Sequence, residues 1–217
     1  MTKIDFFQLE IVLTQFIQQR SETDPAHDLS HIQRVVAAAK QFAAEEDAEL
    51  AIILPAAWLH DCVTLKKNDP LRHQASTLAA QDAIQFLRTI NYPAQYLDAI
   101  YHAIEAHSYS ANIPVRSLEA AIVQDADRID ALGAIGIARC IQVGTGFQSQ
   151  LYSADDPFGQ NRQRDDKAFC IDHFFTKLFT LEATMNTPAA SKEAHQRTVY
   201  MKGFLTQLDH EIGTTFT

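Results

Sequence analysis

The sequence predicts an all-α protein, and three observations carry that reading. Apolar residues recur at three- and four-residue spacing in stretch after stretch, the period of a helix with one buried face. Seven glycines and seven prolines in 217 residues are too few to stitch many strands together by turns. Where cap-type residues and proline do occur, they separate the periodic stretches.

Residues 5–19 place Phe6, Leu9, Val12, Leu13, Phe16 and Ile17 on one side of a first helix. SETDPAHD interrupts the pattern at Pro25, and a second helix is expected from about Leu29 to Glu46. Its inner face carries Leu29, Ile32, Val35, Val36, Ala39 and Phe42, with His31 at the border of that face and Arg34 one turn on. Asp47 is the expected N-cap of a third helix that ends near His60-Asp61. TLKKNDP, residues 64–70, reads as a polar loop, and STLAAQDAIQFLRTI as a fourth helix closed by NYP. Residues 94–108 form a fifth, with Leu97, Ile100, Tyr101 and Ile104 inward; it carries His102, Glu105 and His107.

SLEAAIVQDADRIDALGAIGIAR is expected to be one central helix, with Gly133 and Gly136 as points of bending or close packing. An irregular stretch follows over about 144–166, long enough to suggest a functional or mobile loop. AFCIDHFFTKLFTLEATM is expected as one further helix, and the last begins at Thr187-Pro188, an N-cap followed by proline at the first helical position. With no repeat or linker composition, one domain over 1–217 is expected, its core at about 25–140 and the helices of 166–213 packed on it.

The net charge of −9 disfavours a general nucleic-acid surface. No apolar run reaches the roughly 18 residues that span a bilayer. Cys62, Cys140 and Cys170 lack CxxC spacing and suggest reduced thiols. The expectation is a cytoplasmic protein with no nucleic-acid or membrane partner; the oligomeric state is left open, with a homodimer allowed.

The chemistry gathers around PAAWLHDCV. The preceding segment, AIILPAAWL, is almost wholly apolar, so it is expected to be buried among other helices. His60 and Asp61 at its end face a desolvation cost of several kcal/mol unless something compensates it. A divalent ion would, because neutral imidazole and carboxylate both ligate one. His31 and one aspartate of QDADRID are the other candidates, each from a different helix. Such a mixed donor set suits Mn, Mg, Co, Ni, Fe or Zn and leaves coordination positions open for water and a substrate oxygen. Periodicity does not choose the aspartate. Asp125 shares a face with Leu118, Ile122, Ile129 and Leu132; Asp127 shares another with Val123, Ala131 and Ala134. Arg34, Lys66 and Lys67 are the cations nearest in sequence for phosphate charge, with His102 as a further substrate contact. His107 could protonate a leaving oxygen and Asp61 could orient the attacking water. Metal binding needs neutral imidazole, so activity is expected to fall below about pH 6.5.

HDLSHIQRV, WLHDC, IEAHS and IVQDADRIDALGAIGIAR, with the later HFFTKLFTLEATMNT and RTVYMKGFL, resemble the HD-domain superfamily of metal-dependent phosphohydrolases, in the small bacterial branch typified by YpgQ and YedJ. The resemblance covers nearly the whole chain. It implies an all-α helical bundle with a single metal site between central helices, ligated by His31, His60, Asp61 and Asp127. It also implies hydrolysis of nucleoside triphosphates, deoxy forms preferred, to a monophosphate and pyrophosphate. Neither an adjacent His-His pair nor a GYP segment is present, so the two-metal cyclic-dinucleotide branch is not resembled. A nucleotidase or phosphodiesterase on the same site, or an idle nucleotide-binding sensor, are the competing expectations.

Overall fold

A computed structural model describes residues 4–20, 29–63, 65, 69–108 and 111–213. Among these residues every regular element is helical, as the apolar spacing predicts, apart from one isolated bridge between Gln150 and Phe169. None of the described helices is long and apolar enough to cross a membrane. The chain forms two compact units, residues 1–127 and 128–217.

The first unit holds α1 (Phe6–Gln18), α2 (Leu29–Glu45), α3 (Leu50–Leu59), α4 (Ala75–Thr89), α5 (Leu97–His107) and most of α6 (Leu118–Ile129). Helix α3 lies at its centre, touched by α1, α2, α4 and α5. Its sequence explains this, for Ala51, Ile53, Leu54 and Pro55 through Leu59 are all buried, leaving little of it for water. Pro55 lies inside α3 and has no N–H to give the carbonyl of Ala51 one turn back. That carbonyl is satisfied instead by the Tyr92 hydroxyl, which donates to it at 2.7 Å.

The N-cap of α3 is Glu49, whose carboxylate accepts from the Ala51 amide at 3.0 Å, and not Asp47 as expected. Asp47 has φ +53° and belongs to the end of α2, where the Ala48 amide reaches back to the Ala43 carbonyl. A residue in this left-handed conformation closes a helix, and aspartate tolerates it better than most. Helix α6 starts at a serine cap, with Ser117 Oγ accepting from the Ala120 amide at 3.2 Å, and Gln124 ties it to the last turn of α5 through the Ala106 carbonyl at 2.7 Å.

The expected single helix through DADRIDALGAIG is two. Helix α6 ends at Ile129 and α7 (Gly133–Gly146) begins after a turn over Asp130–Leu132. Side chains stabilise the break: Arg197 donates to the Ile129 carbonyl at 2.8 Å, and Asp130 pairs with Arg139. Gly133 has φ +74°, and a Cβ on Gly136 would collide with the Ala131 carbonyl oxygen, so both positions require glycine.

In the second unit α7 is followed by α8 (Cys170–Thr176) and α9 (Pro188–Ile212). The long helix expected over AFCIDHFFTKLFTLEATM is only the seven-residue α8, followed by 3-10 turns at Leu178–Thr180 and Glu182–Thr184. Thr180 and Thr184 hydroxyls donate to carbonyls three residues back, an alternative to continued α-helix. Thr187 caps α9 ahead of Pro188 as expected, and Gly213 ends it in the left-handed conformation. Residues 147–169 are irregular but clamped. Arg162 grips the fully buried Asp172 with two hydrogen bonds of 2.6 and 2.8 Å, and the Asp165 amide donates to the same carboxylate.

Candidate metal centre

Four stretches of the first unit bring histidines and carboxylates together. His31 projects from the first turn of α2, His60 and Asp61 from the end of α3, His107 from the last turn of α5, and Asp127 from α6. The Nε2 atoms of His31 and His60 stand 3.4 and 3.8 Å from Oδ1 of Asp127. His60 Nε2 is 3.6 Å from Oδ2 of Asp61, and His107 Nε2 is 3.4 Å from Oδ1 of the same carboxylate. The ring of His60 meets those of His31 and His107 edge-on, at centroid separations of 5.6 and 4.9 Å.

Helix ends set these orientations. The last carbonyls of a helix have no intrahelical donor. His60, the C-cap of α3, places Nδ1 2.8 Å from the Ala57 carbonyl, and His107 places Nδ1 2.6 Å from the Ile104 carbonyl. A carbonyl can only accept, so in each ring Nδ1 carries the hydrogen. Neutral His60 then turns its Nε2 lone pair into the cluster, through the second-neighbour bond that orients metal-ligating histidines, while His107 turns Nε2 to Asp61.

His60 Nε2 is wholly buried and makes no hydrogen bond among the described residues. An unsatisfied buried polar atom costs about 1–3 kcal/mol, and a cation would remove that cost. Burial pushes the His60 imidazolium below its ordinary range, and the charge of His107 adds to this against the opposing pull of Asp61 and Asp127. Burial also disfavours charge on Asp127, but a hydrogen bond with His31 and the nearby imidazoles outweigh it and hold the carboxyl below its usual range. Three imidazolium ions could not share so small a space. Neutral His60 beside ionised Asp127 is the combination that a shared cation requires. For His107, burial opposes the charge, while its hydrogen bond to Asp61 and the charges of Asp61 and Asp127 win and raise it. The residues present therefore fit a divalent ion.

Where periodicity left Asp125 and Asp127 open, the geometry separates them. Two sets of donors lie within 4.8 Å of one another, His31 with His60 and Asp127, and His60 with Asp61 and His107; Asp125 is fully buried yet belongs to neither, whereas Asp127 keeps 29% of its side chain exposed and faces His31 and His60. Arg34, half-buried, donates to Ser30 Oγ at 3.0 Å. His102 is committed locally: Nδ1 faces Glu105 Oε1 at 3.1 Å, and Nε2 accepts the Arg116 amide at 3.1 Å. Lys66 and Lys67 lie outside the described residues.

The placement of His107 against Asp61 is what sequence reasoning did not reach.

The HD domain matches residues 28–132, which include all five of these residues. The protein YpgQ of Bacillus subtilis (strain 168) is 30% identical over 210 residues, 94% of each chain. The crystal structure of Bacillus subtilis YpgQ in complex with ADP superposes with a TM-score of 0.75, covering 94% of this chain and 95% of that one at 30% identity. An HD-superfamily hydrolase from Bacillus thuringiensis gives the same TM-score at 29% identity, over 98% of this chain and all of its own. A protein of Lactobacillus plantarum is 34% identical with a TM-score of 0.69. With likeness running through the whole chain and the donors gathered inside the matched domain, the chain belongs to the HD superfamily of metal-dependent phosphohydrolases.

Proposed function

We propose that the substrate is a nucleoside triphosphate, deoxy forms preferred, and that the products are a nucleoside monophosphate and pyrophosphate. The observation that carries the nucleotide is the ADP held by YpgQ, whose likeness to this chain extends over 94% of it. The carboxylate–imidazole cluster of the first unit is the place where phosphate would be attacked.

In this reading water adds to the α-phosphorus and the bond from that phosphorus to the α–β bridging oxygen breaks, so that pyrophosphate leaves. His31, His60, Asp61 and Asp127 hold the cation. When bound, a divalent ion supplies Lewis-acid polarisation and charge neutralisation at the phosphate. Mixed imidazole and carboxylate donors suit manganese better than magnesium, which prefers oxygen. Asp61 presents oxygens to both His60 and His107 and is the carboxylate suited to orient the attacking water. Arg34, one turn from His31, supplies positive charge for the phosphate tail, together with Lys66 and Lys67.

The test is a product assay on nucleoside mono-, di- and triphosphates with Mn, Mg, Co or Ni. Equimolar pyrophosphate and monophosphate from triphosphates is the expected result. Inorganic phosphate alone would replace this reading with a nucleotidase, and nucleotide binding without turnover under any metal would replace it with a sensor.

A further inference from the structure

A cavity of about 830 Å³ lies at the N-terminal end of α3, lined by the starts of α1 and α3 and by the segment that joins α4 to α5. Small-molecule sites run from about 300 to 1,000 Å³. Phe6, Leu9, Ile90 and Pro93 give it apolar walls, and Tyr92 and Tyr96 add two rings with centroids 6.3 Å apart. Its ionised groups are Asp5 and Glu49, and among the described residues no lysine, arginine or histidine lines it.

Both carboxylates are fixed in place by capping. Asp5 Oδ1 accepts the Gln8 amide at 3.1 Å at the start of α1, and Glu49 Oε1 accepts the Ala51 amide at 3.0 Å at the start of α3. Capping accounts for one oxygen of each and leaves the second for another donor. Neither carboxylate pairs with a lysine or arginine among the described residues. A helix N-terminus carries roughly half a positive charge, so a full negative charge beside it leaves each end net negative. Two such ends lining one cavity favour a ligand with two separated positive charges. The rings add to this. Burial raises the Tyr92 phenol above its ordinary range, and neighbouring Tyr96 and Glu49 push it further the same way. The Tyr92 hydroxyl is committed to the Ala51 carbonyl at 2.7 Å, so what Tyr92 offers a ligand is ring surface, to which an ammonium is drawn.

We propose that this cavity binds a linear aliphatic polyamine, with its ammonium groups held by Asp5 and Glu49 and its methylene chain on the apolar walls and tyrosine rings. Glu49 and His60 stand at opposite ends of α3, roughly 16 Å apart at about 1.5 Å per residue. The polyamine site is therefore separate from the metal centre and independent of which nucleotide is hydrolysed. The competing account is that Asp5 and Glu49 are helix caps and nothing more.

Equilibrium dialysis of the full chain against spermidine in about 0.15 M salt, without metal or nucleotide, separates the two. Saturation at one spermidine per chain is expected. Asp5→Asn and Glu49→Gln keep a capping oxygen and remove the charge, so the double variant should hold wild-type helical circular dichroism and bind about 5-fold more weakly. Tyr96→Ala should weaken binding by about 3-fold. Glu45→Gln with Asp98→Asn, which neutralises two exposed carboxylates elsewhere, should leave it unchanged. Diaminooctane should displace spermidine, and the uncharged octanediol of the same length should not. Binding that never saturates, or that falls equally in the control variant, is attraction to the net charge of −9 and overturns the proposal. Displacement by octanediol overturns it too, as does unchanged affinity in the double variant or in Tyr96→Ala. Should a variant fail to fold, the wild-type stoichiometry and the diamine–diol comparison still decide.

Discussion

His60 is the side chain on which the most physical constraints converge. It closes an apolar helix, is fully buried, spends Nδ1 on a backbone carbonyl and leaves Nε2 without a hydrogen bond among the described residues. Removing it takes away the donor common to both groups. His60→Ala is expected to lower metal-dependent phosphohydrolysis by more than about 100-fold, beyond the effect of losing a supporting residue. The helical circular dichroism should stay at the wild-type level, because the substitution also deletes a buried polar atom. Wild-type turnover in this variant would refute the centre. The pairing of His31 with Asp127 belongs to this scale too. The motif resemblance pointed to Asp127, but helical periodicity alone admitted Asp125 equally, because a helix buried on several sides offers no single inner face. Asp125 is indeed the more buried of the two.

Among the elements, α3 shows how a local defect is repaired at a distance. Pro55 removes one helical hydrogen bond, and Tyr92, 41 residues from Ala51, restores a partner to its carbonyl. Tyr92→Phe keeps the ring and removes only that partner. It is expected to cost about 1–3 kcal/mol, the range for leaving a buried acceptor unpaired. A urea titration would show it as a lower midpoint with an unchanged slope, and an unchanged midpoint would show that the Ala51 carbonyl finds water instead. Asp47 as a cap, one helix through DADRIDALGAIG and one helix over 168–185 all follow from apolar spacing, and each is overruled by a hydrogen bond that spacing does not carry: Glu49 to the Ala51 amide, Arg197 to the Ile129 carbonyl, and the Thr180 and Thr184 hydroxyls to carbonyls three residues back. Arg197 on α9 satisfies the end of α6, and Arg162 with Asp172 anchors the segment that leads into α8. Hydrogen bonds of this kind, near or distant, leave no periodic trace.

For the whole molecule the net charge of −9 makes the carboxylates decisive at low pH. Asp156 is held below its ordinary value by the amides of Asn161 and Gln160, Asp166 by its hydrogen bond with His173, and Glu182 by its hydrogen bond with His195. A carboxyl depressed in the folded state adds stability that is complete above its unfolded pKa, and that stability is lost as pH falls through the folded value. With ordinary values of 3.8 and 4.5 for these groups, the loss should begin near pH 4.5 and deepen below 3.8. All three groups lie in the second unit, so acid should loosen its irregular segment and the start of α9. Hydrogen exchange at pH 3 against pH 6 would show it; uniform protection at both would contradict it.

Fold class, the apolar faces of the helices and the histidine-aspartate pair at the end of a buried segment are written in composition and spacing, because burial imposes a period on a helix. Which aspartate of QDADRID approaches the histidines, where α6 breaks, and that His107 points at Asp61 are not written there. Those depend on how helices distant in sequence are set side by side, and a ligand cluster exists only once that arrangement has formed.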